Sequence, residues 1–434
     1  METNEERHPA ARSRRRSRLR AGIVATAVAA AAALALAGCS GGGAGSSSGS
    51  GGSSTLTVWH YFSDPNQVKV LTDYADLFQQ QNKGVTVKNV YVPYDQLDQK
   101  LIASAGAKTG PDVVVFNGAD ASNLALAGTL APLDAKWSSY ADKGQFPSSV
   151  VHKLKGKTYA VQGYVNLLGL WYNKDILDQL GVTPPKTMDE LDAAMAKAKA
   201  AGKSGITLSG LPNSQGEWQA YPWLTAAGFD IAKPSASALQ SGFSTVAGWV
   251  DKGYLSKEST TWDQTVPFQK FAAGDVAFAE NGNWQIATAK STAKFNYGVV
   301  PLPLGSKGKV YLGGEGEAIG AYSKNPDLAW KYLQATYFSS KGQLIALKDS
   351  GTIPARADTA SDAAVTGDPL IKPFAESVSS MGANYPGDAV PPASVANQQL
   401  AGGQAWSSVL GGSASPADAA AAYKKQLDQL LNAK

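Results

Sequence analysis

Residues 55–117 decide the fold; they open with TLTVWHYF (55–62) and close with PDVVVFN (111–117). The first run alternates and is rich in β-branched and aromatic residues, as a half-buried strand is. Next, PNQVKVLTDYADLFQQQN (65–82) spaces Val70, Leu71, Tyr74, Leu77 and Phe78 along one face of a helix. VTVKNVYV (85–92) predicts a second strand and YDQLDQKLIASAGA (94–107) a second helix. PDVVVFN is short and continuously apolar, which suits a parallel sheet covered on both faces. Strand, helix, strand, helix, strand in this order predicts a parallel α/β sheet.

Downstream the alternation resumes. LLGLWYNKDILDQLG (167–181) reads as a strand and a short helix, and SGITLSG (204–210) as a strand. Between them TMDELDAAMAKAKAAG (187–202) is an amphipathic helix with Thr187 and Glu190 at capping-box spacing. FQKFAAGDVAFAENGNWQIATAK (268–290) reads as helix, strand, loop and helix, while NYGVVPLP (296–303) and EAIGAYS (317–323) read as strands. Two further stretches, 325–351 and 415–434, are helical in pattern. No fixed repeat is visible, and these are too many α/β units for one sheet. Two α/β lobes are the economical reading.

Upstream of the first strand, ARSRRRSRLR (11–20) is a basic run and AGIVATAVAAAAALALAG (21–38) an apolar one ending in small residues, the layout of an export signal over 1–38. The chain's single cysteine, Cys39, follows at once, and a Gly/Ser tract runs to Ser54. Leu36-Ala37-Gly38-Cys39 resembles the lipobox of bacterial lipoproteins. That resemblance implies a diacylglycerol thioether on Cys39, cleavage before it, and a tether over 39–54 that holds the body at the cell membrane, outside the cytoplasm. SRRRS (13–17) resembles a twin-arginine signal only faintly, so the export route stays open. One cysteine leaves no intramolecular disulfide and no cysteine-built metal site.

Charge narrows the partners. Seven of the 39 basic and three of the 35 acidic residues precede Cys39, so the remainder carries 32 of each and is neutral. A neutral body has no electrostatic footprint for nucleic acid. Arg356 is its single arginine, which leaves no multi-arginine clamp for phosphate or carboxylate.

From Leu56 onward several blocks occur in a specific order: LTVWHYF, GPDVVVFNG, YAVQGYVNLLGLWYNKDIL, PPKTMDELDAAMAKAKAAG, FAAGDVAFAENGNW, YGVVPLPLG, GGEGEAIGAYSKNPDLAWKYL and GTIPAR. In this order and spacing the chain resembles the extracellular solute-binding proteins of bacterial ABC importers, in the sugar-binding group related to maltose-binding protein. The resemblance implies a two-lobed periplasmic-binding-protein-like fold of type II. Each lobe is then an α/β sheet flanked by helices, with hinge strands crossing near 160–164, near 297–303 and after Leu347. It places the N-terminal lobe at 55–160 plus 300–347 and the C-terminal lobe at 161–297 plus 350–434. It further implies a monomer without cofactor or metal that closes on its ligand and delivers it to permease subunits driven by a cytoplasmic ATPase.

A sugar presents hydroxyls at its rim and C–H groups on its faces, so a site needs aromatic plates together with amides or carboxylates. The resemblance puts stacking tryptophans at Trp284, in ENGNW, and at Trp218, in GEWQAYPW, and a cleft aromatic at Phe116 with Asn117 and Asp120 beside it. Tyr61, Ser63 and Asp64 follow the first strand where relatives offer polar groups; Asp64, standing before a proline, equally reads as a helix cap. Asn166 stands where the maltose protein has a glutamate, a departure that puts maltose itself in doubt. Gly314 and Glu315 sit in a glycine-rich loop that admits close backbone approach. Trp262 with Asp263 beside it, and Arg356, complete the candidates, Arg356 being equally readable as a structural ion pair.

Other classes fit less well. Only His60 and His152 follow the signal, no H-E-x-x-H occurs, and the G-x-S-x-G match at 45–49 lies in the tether without strand or helix. Glu315 and Glu317 share one short segment and so do not supply the opposed carboxyls of a glycosidase. Glycerol phosphate, a polyol or a polyamine remain the alternative ligands on the same fold, though no basic cluster suits a phosphate.

Overall fold

The computed structural model describes residues 54–387 and 389–433. The export signal, the lipidation of Cys39 and nearly all of the tether lie outside the described residues.

The opening strand, Ser54–His60, pairs in parallel with Val85–Tyr91 along its whole length and with Val113–Asn117 on its other side. Helices Pro65–Gln81 and Tyr94–Gly106 make the two crossovers. Asp64 caps the first of them, and Val70, Leu71, Tyr74, Leu77 and Phe78 are all buried, as their spacing predicts. Three antiparallel strands extend the sheet beyond Val113–Asn117: Glu315–Ile319, Lys157–Val161 and Val151–Leu154. This six-stranded sheet therefore recruits a strand from far downstream.

A second sheet has four strands in the order Tyr297–Val300, Leu168–Asn173, Val276–Gly282, Ser204–Thr207. Its last pair is parallel and the others antiparallel. Val276–Gly282 is buried throughout, and Trp171 packs edge-on to Phe268 at 4.9 Å beneath it. The capping box of Met188–Ala200 forms as its sequence implies. Helix Ser214–Ala226 is buried on all sides from Gly216 to Thr225, wedged between Ala236–Asp251 and Val395–Gly411.

The chain passes between the two sheets over 161–168, over 300–315 and after Ser350. On the second passage Val310–Leu312 pairs with Gly382–Asn384, and Tyr311 stacks on Tyr221 at 3.5 Å. That leg thus packs against helix Ser214–Ala226 before Gly313 and Gly314 return it to the first sheet. Ile353–Pro354 pairs with Tyr164–Val165, so the third passage runs beside the first. Asn283 fastens all of this. Its amide nitrogen donates to Asn166 Oδ1 and to the Gly351 carbonyl, both at 2.9 Å, and its Oδ1 accepts from the Leu167 amide at 2.9 Å. Among the described residues no helix is long and apolar enough to cross a membrane.

Candidate functional site

A cavity of about 420 Å³ lies between the two sheets. From the first lobe it takes the chain just beyond the C-terminal ends of parallel strands, where ligands of α/β sheets sit: Tyr61, Ser63 and Asp64 after Ser54–His60, and Asn117 at the end of its own strand. Tyr94, Gly314 and Glu315 complete that wall. The opposite wall is the first turns of helix Ser214–Ala226, residues 263–265 with Gln269, the start of the helix after Val276–Gly282, and Tyr385.

Aromatic rings face the cavity from both sides. Trp218 is 7% exposed and meets Tyr385 edge-on at 4.8 Å. Its ring lies against Gly313, where a Cβ would come within 2.3 Å of Cη2, and its indole N–H has no hydrogen-bond partner. Trp284 is half-buried and folds back over Gly282, where a Cβ would sit 1.9 Å from Cζ3. Tyr61 and Tyr94 pack edge-to-face at 5.0 Å on the first lobe. Tyr94 Oη also lies 3.3 Å from Ser214 Oγ, a contact made across the cleft.

The polar groups have distinct states. Asp64 accepts from the amides of Asn66 and Gln67, and Asp263 from those of Thr265 and Val266, so each lines the cleft while capping a helix. Asn117 donates to Tyr94 Oη at 2.9 Å, and Asn166 accepts from Asn283. Glu315 is 4% exposed, and its Oε1 accepts from Tyr61 Oη at 2.9 Å. Burial pushes its carboxyl up to about 7. Burial raises the Tyr61 hydroxyl well above its usual range too, and the Glu315 charge adds to this. Behind Trp218, Glu217 is likewise pushed up to about 7 by burial, with Tyr311 and Gln398 donating to its Oε1. Among the described residues no lysine, arginine or histidine lines the cavity.

The structure brings Tyr61, Ser63, Asp64, Asn117, Asn166, Trp218, Trp284, Gly314 and Glu315 together around this cavity. Four expected residues stand elsewhere. Phe116 is fully buried on the other face of its strand, over Gly316 and among Leu97, Leu101 and Val114; strand alternation gives the cleft to Asn117 instead. Asp120 lines an adjoining cavity of about 380 Å³ behind Tyr61 and Tyr94, with Asp98, and burial followed by that neighbouring charge holds its carboxyl well above the usual range. Trp262 is turned inward with Lys270 Nζ 4.6 Å above its ring, while the next residues, 263–265, reach the cavity. Arg356 is a structural ion pair: it donates to Asp142, Asp358 and the Phe338 carbonyl. Sequence reasoning missed Gln67, Tyr94, Ser214, Gln215, Gln264, Thr265, Gln269, Gln285, Thr288, Gly313 and Tyr385. Helical spacing signals some of these, since Thr265 and Gln269 are four apart and Gln285 and Thr288 three apart; nothing local signals Tyr385.

The profile of a family described as bacterial extracellular solute-binding protein matches residues 73–373. A Brucella abortus relative, named only as a binding protein, is 27% identical over 273 residues, covering 59% of this chain and 65% of its own length, just under two thirds. The maltodextrin-binding protein MdxE of Bacillus subtilis is 28% identical over 302 residues, covering 64% of this chain and 68% of its own. Among solved structures, the GacH receptor of Streptomyces glaucescens, crystallised without ligand and with acarbose, superposes with a TM-score of 0.79 at 26% identity, over 88% of this chain and 100% of that one.

Proposed function

We propose that this chain, which belongs to the bacterial extracellular solute-binding protein family, captures a carbohydrate of two or more rings between its lobes and delivers it to the permease of an ABC importer. One observation carries the reading: aromatic rings face one cavity from both lobes, interleaved with amides and carboxylates and, among the described residues, with no cationic side chain. Rings cover the C–H faces of a sugar, and amides and carboxylates take its hydroxyls. The volume of about 420 Å³ falls within the roughly 300–1,000 Å³ of small-molecule sites. The names of MdxE and of the acarbose-bound GacH receptor point the same way.

Phosphorylated solutes are disfavoured, because an anion entering here meets Asp64 and Asp263 and, among the described residues, no cationic side chain. Catalysis is disfavoured as well. Glu315 and Glu317 lie on the same face of one strand, and Glu317 is fully buried against the Gly163 amide. A pair so placed does not straddle a glycosidic bond. Around this core we assign residues 1–38 to export, Cys39 to lipid attachment, and the two sheets with their helices to the lobes that close on the sugar. The permease and its ATPase are the implied partners.

The test is a thermal-shift and calorimetric screen against mono-, di- and oligosaccharides, glycerol phosphates, polyols and polyamines. One sugar class raising Tm, with a Kd in the micromolar range or below, is the expected result. A response confined to a phosphate or a polyamine overturns the proposal.

A further inference from the structure

The cleft has a neighbour. Behind Tyr61 and Tyr94 lies the cavity of about 380 Å³ that holds Asp98 and Asp120, and Asn123, Asn213 and Gln399 give it further polar groups. It shares four lining residues with the main cavity: Tyr61, Tyr94, Asn117 and Ser214. These four are joined by contacts. The rings of Tyr61 and Tyr94 meet edge-to-face at 5.0 Å, Asn117 Nδ2 donates to Tyr94 Oη at 2.9 Å, and Tyr94 Oη stands 3.3 Å from Ser214 Oγ on the second lobe. Tyr94 takes part in all three contacts, so it is the centre of a partition that runs from one lobe to the other.

Each member of the partition is anchored. Asn117 Oδ1 accepts from the Ala119 amide at 3.1 Å, which fixes the way its amide points and leaves Nδ2 for Tyr94. Tyr61 Oη donates to Glu315 Oε1 at 2.9 Å. Tyr94 opens helix Tyr94–Gly106 directly after Pro93, and buried Leu97 and Leu101 seat that helix. Ser214 opens helix Ser214–Ala226, which Asn213 caps. The Tyr94 ring cannot swing aside without giving up its polar contacts on both lobes and its aromatic neighbour. A carbohydrate that grows toward this end of the main cavity therefore meets a wall, with polar space beyond it.

We propose that Tyr94 sets the length of carbohydrate this protein accepts: its ring stops the chain at the Tyr61–Ser214 end of the main cavity, and its removal opens the adjoining cavity to one more sugar ring. This rests on the carbohydrate reading above and adds to it a specificity-determining residue. Asp98, Asp120, Asn123, Asn213 and Gln399 supply the acceptors and donors that the hydroxyls of the added ring would meet.

The experiment is calorimetry on the purified protein with the homologous series of the sugar that responds in the screen, from two to about five rings. Wild-type affinity is expected to peak within the series and to fall for longer members. Tyr94→Ala is expected to move the peak one ring longer, changing the affinity ratio of that member to the wild-type optimum by about tenfold. The ratio is the readout because general damage to the cleft or the fold weakens all lengths alike. Adding Asn123→Phe to Tyr94→Ala refills the adjoining cavity and is expected to restore the wild-type ratio. Should circular dichroism show Tyr94→Ala unfolded, Tyr94→Leu, which keeps apolar bulk against Tyr61 and is too short to reach Ser214, takes its place. Wild-type affinity that climbs through the whole series, a ratio unchanged in the folded variant, or a gain that survives Asn123→Phe overturns the proposal. Each of these leaves carbohydrate binding standing, whereas a failure of every sugar removes the functional reading and this proposal together.

Discussion

Gly313→Ala is the sharpest probe of how the cleft is built. A Cβ at this position would stand 2.3 Å from Cη2 of Trp218 and 2.9 Å from Cζ3. Carbon atoms settle at about 3.5–4.0 Å, so ring and backbone must separate by more than about 1 Å. Neither side yields readily. The Gly313 amide and carbonyl both bond to Asn166, and the carbonyl also accepts from Gln162. Trp218 is held by Tyr385 at 4.8 Å and Tyr311 at 5.7 Å, on a helix that is buried around it. Overpacking of this kind costs about 1–3 kcal/mol. Displacing an aromatic plate forfeits contact with the ligand worth about 2 kcal/mol, or about 30-fold in Kd. Differential scanning fluorimetry and calorimetry with the screened sugar read both effects. Repeating them in a Trp218→Ala background isolates the contact, since without the indole the added methyl has nothing to strike. A Gly313→Ala penalty of equal size in the two backgrounds, or none in the wild type, would refute the reasoning.

Trp284→Ala removes a half-buried ring that faces the cleft, so affinity should fall about 30-fold while Tm without ligand moves little; a large Tm loss with unchanged binding would return this residue to the core. Arg356→Met should do the reverse, lowering stability by about 2 kcal/mol through three lost charge-assisted partners and leaving calorimetric affinity intact. Glu217 has a carboxyl raised from 4.5 to about 7, so the folded state holds its proton longer than the unfolded one. Its contribution is complete below about pH 4.5 and is lost as pH rises through about 7, at about 1.4 kcal/mol per unit. The wild-type stability curve should therefore fall relative to Glu217→Gln across that window, as paired urea titrations would read, and parallel curves would contradict the assignment. Cys39→Ala should move the protein from the membrane fraction to the medium, which cell fractionation with an antibody checks.

The parallel part of the first sheet was legible because its two kinds of period are both clean over 55–92, whereas the short strands Lys157–Val161 and Val151–Leu154 went unread. The cleft's lining was legible only in part, and the differences have physical causes. VVVFN is covered on both faces, so it carries no polar alternation to show that Asn117, and not Phe116, lines the cavity. An arginine beyond a hinge strand reads alike whether it meets a ligand or Asp142, which lies 214 positions away. Tyr385 reaches the cavity because Gly382–Asn384 pairs with Val310–Leu312, a contact that no local pattern announces.

The same distant pairing explains how a cleft between two lobes keeps a defined shape. Every passage between the sheets runs close to one side-chain amide, that of Asn283, which is fully buried and holds the first passage through Asn166 and Leu167 and the third through Gly351. The second passage joins through the reciprocal backbone bonds of Asn166 with Gly313. Three passages fastened at one point leave rotation about that point as the cheap relative motion, because sliding would break several buried hydrogen bonds at once. Trp284 is the next residue after Asn283, and Gly313 seats Trp218. The two tryptophans that line the cavity from the second lobe are thus set by the residues that fasten the crossings, so the cleft's aromatic surface is fixed closest to the pivot, where rotation moves it least.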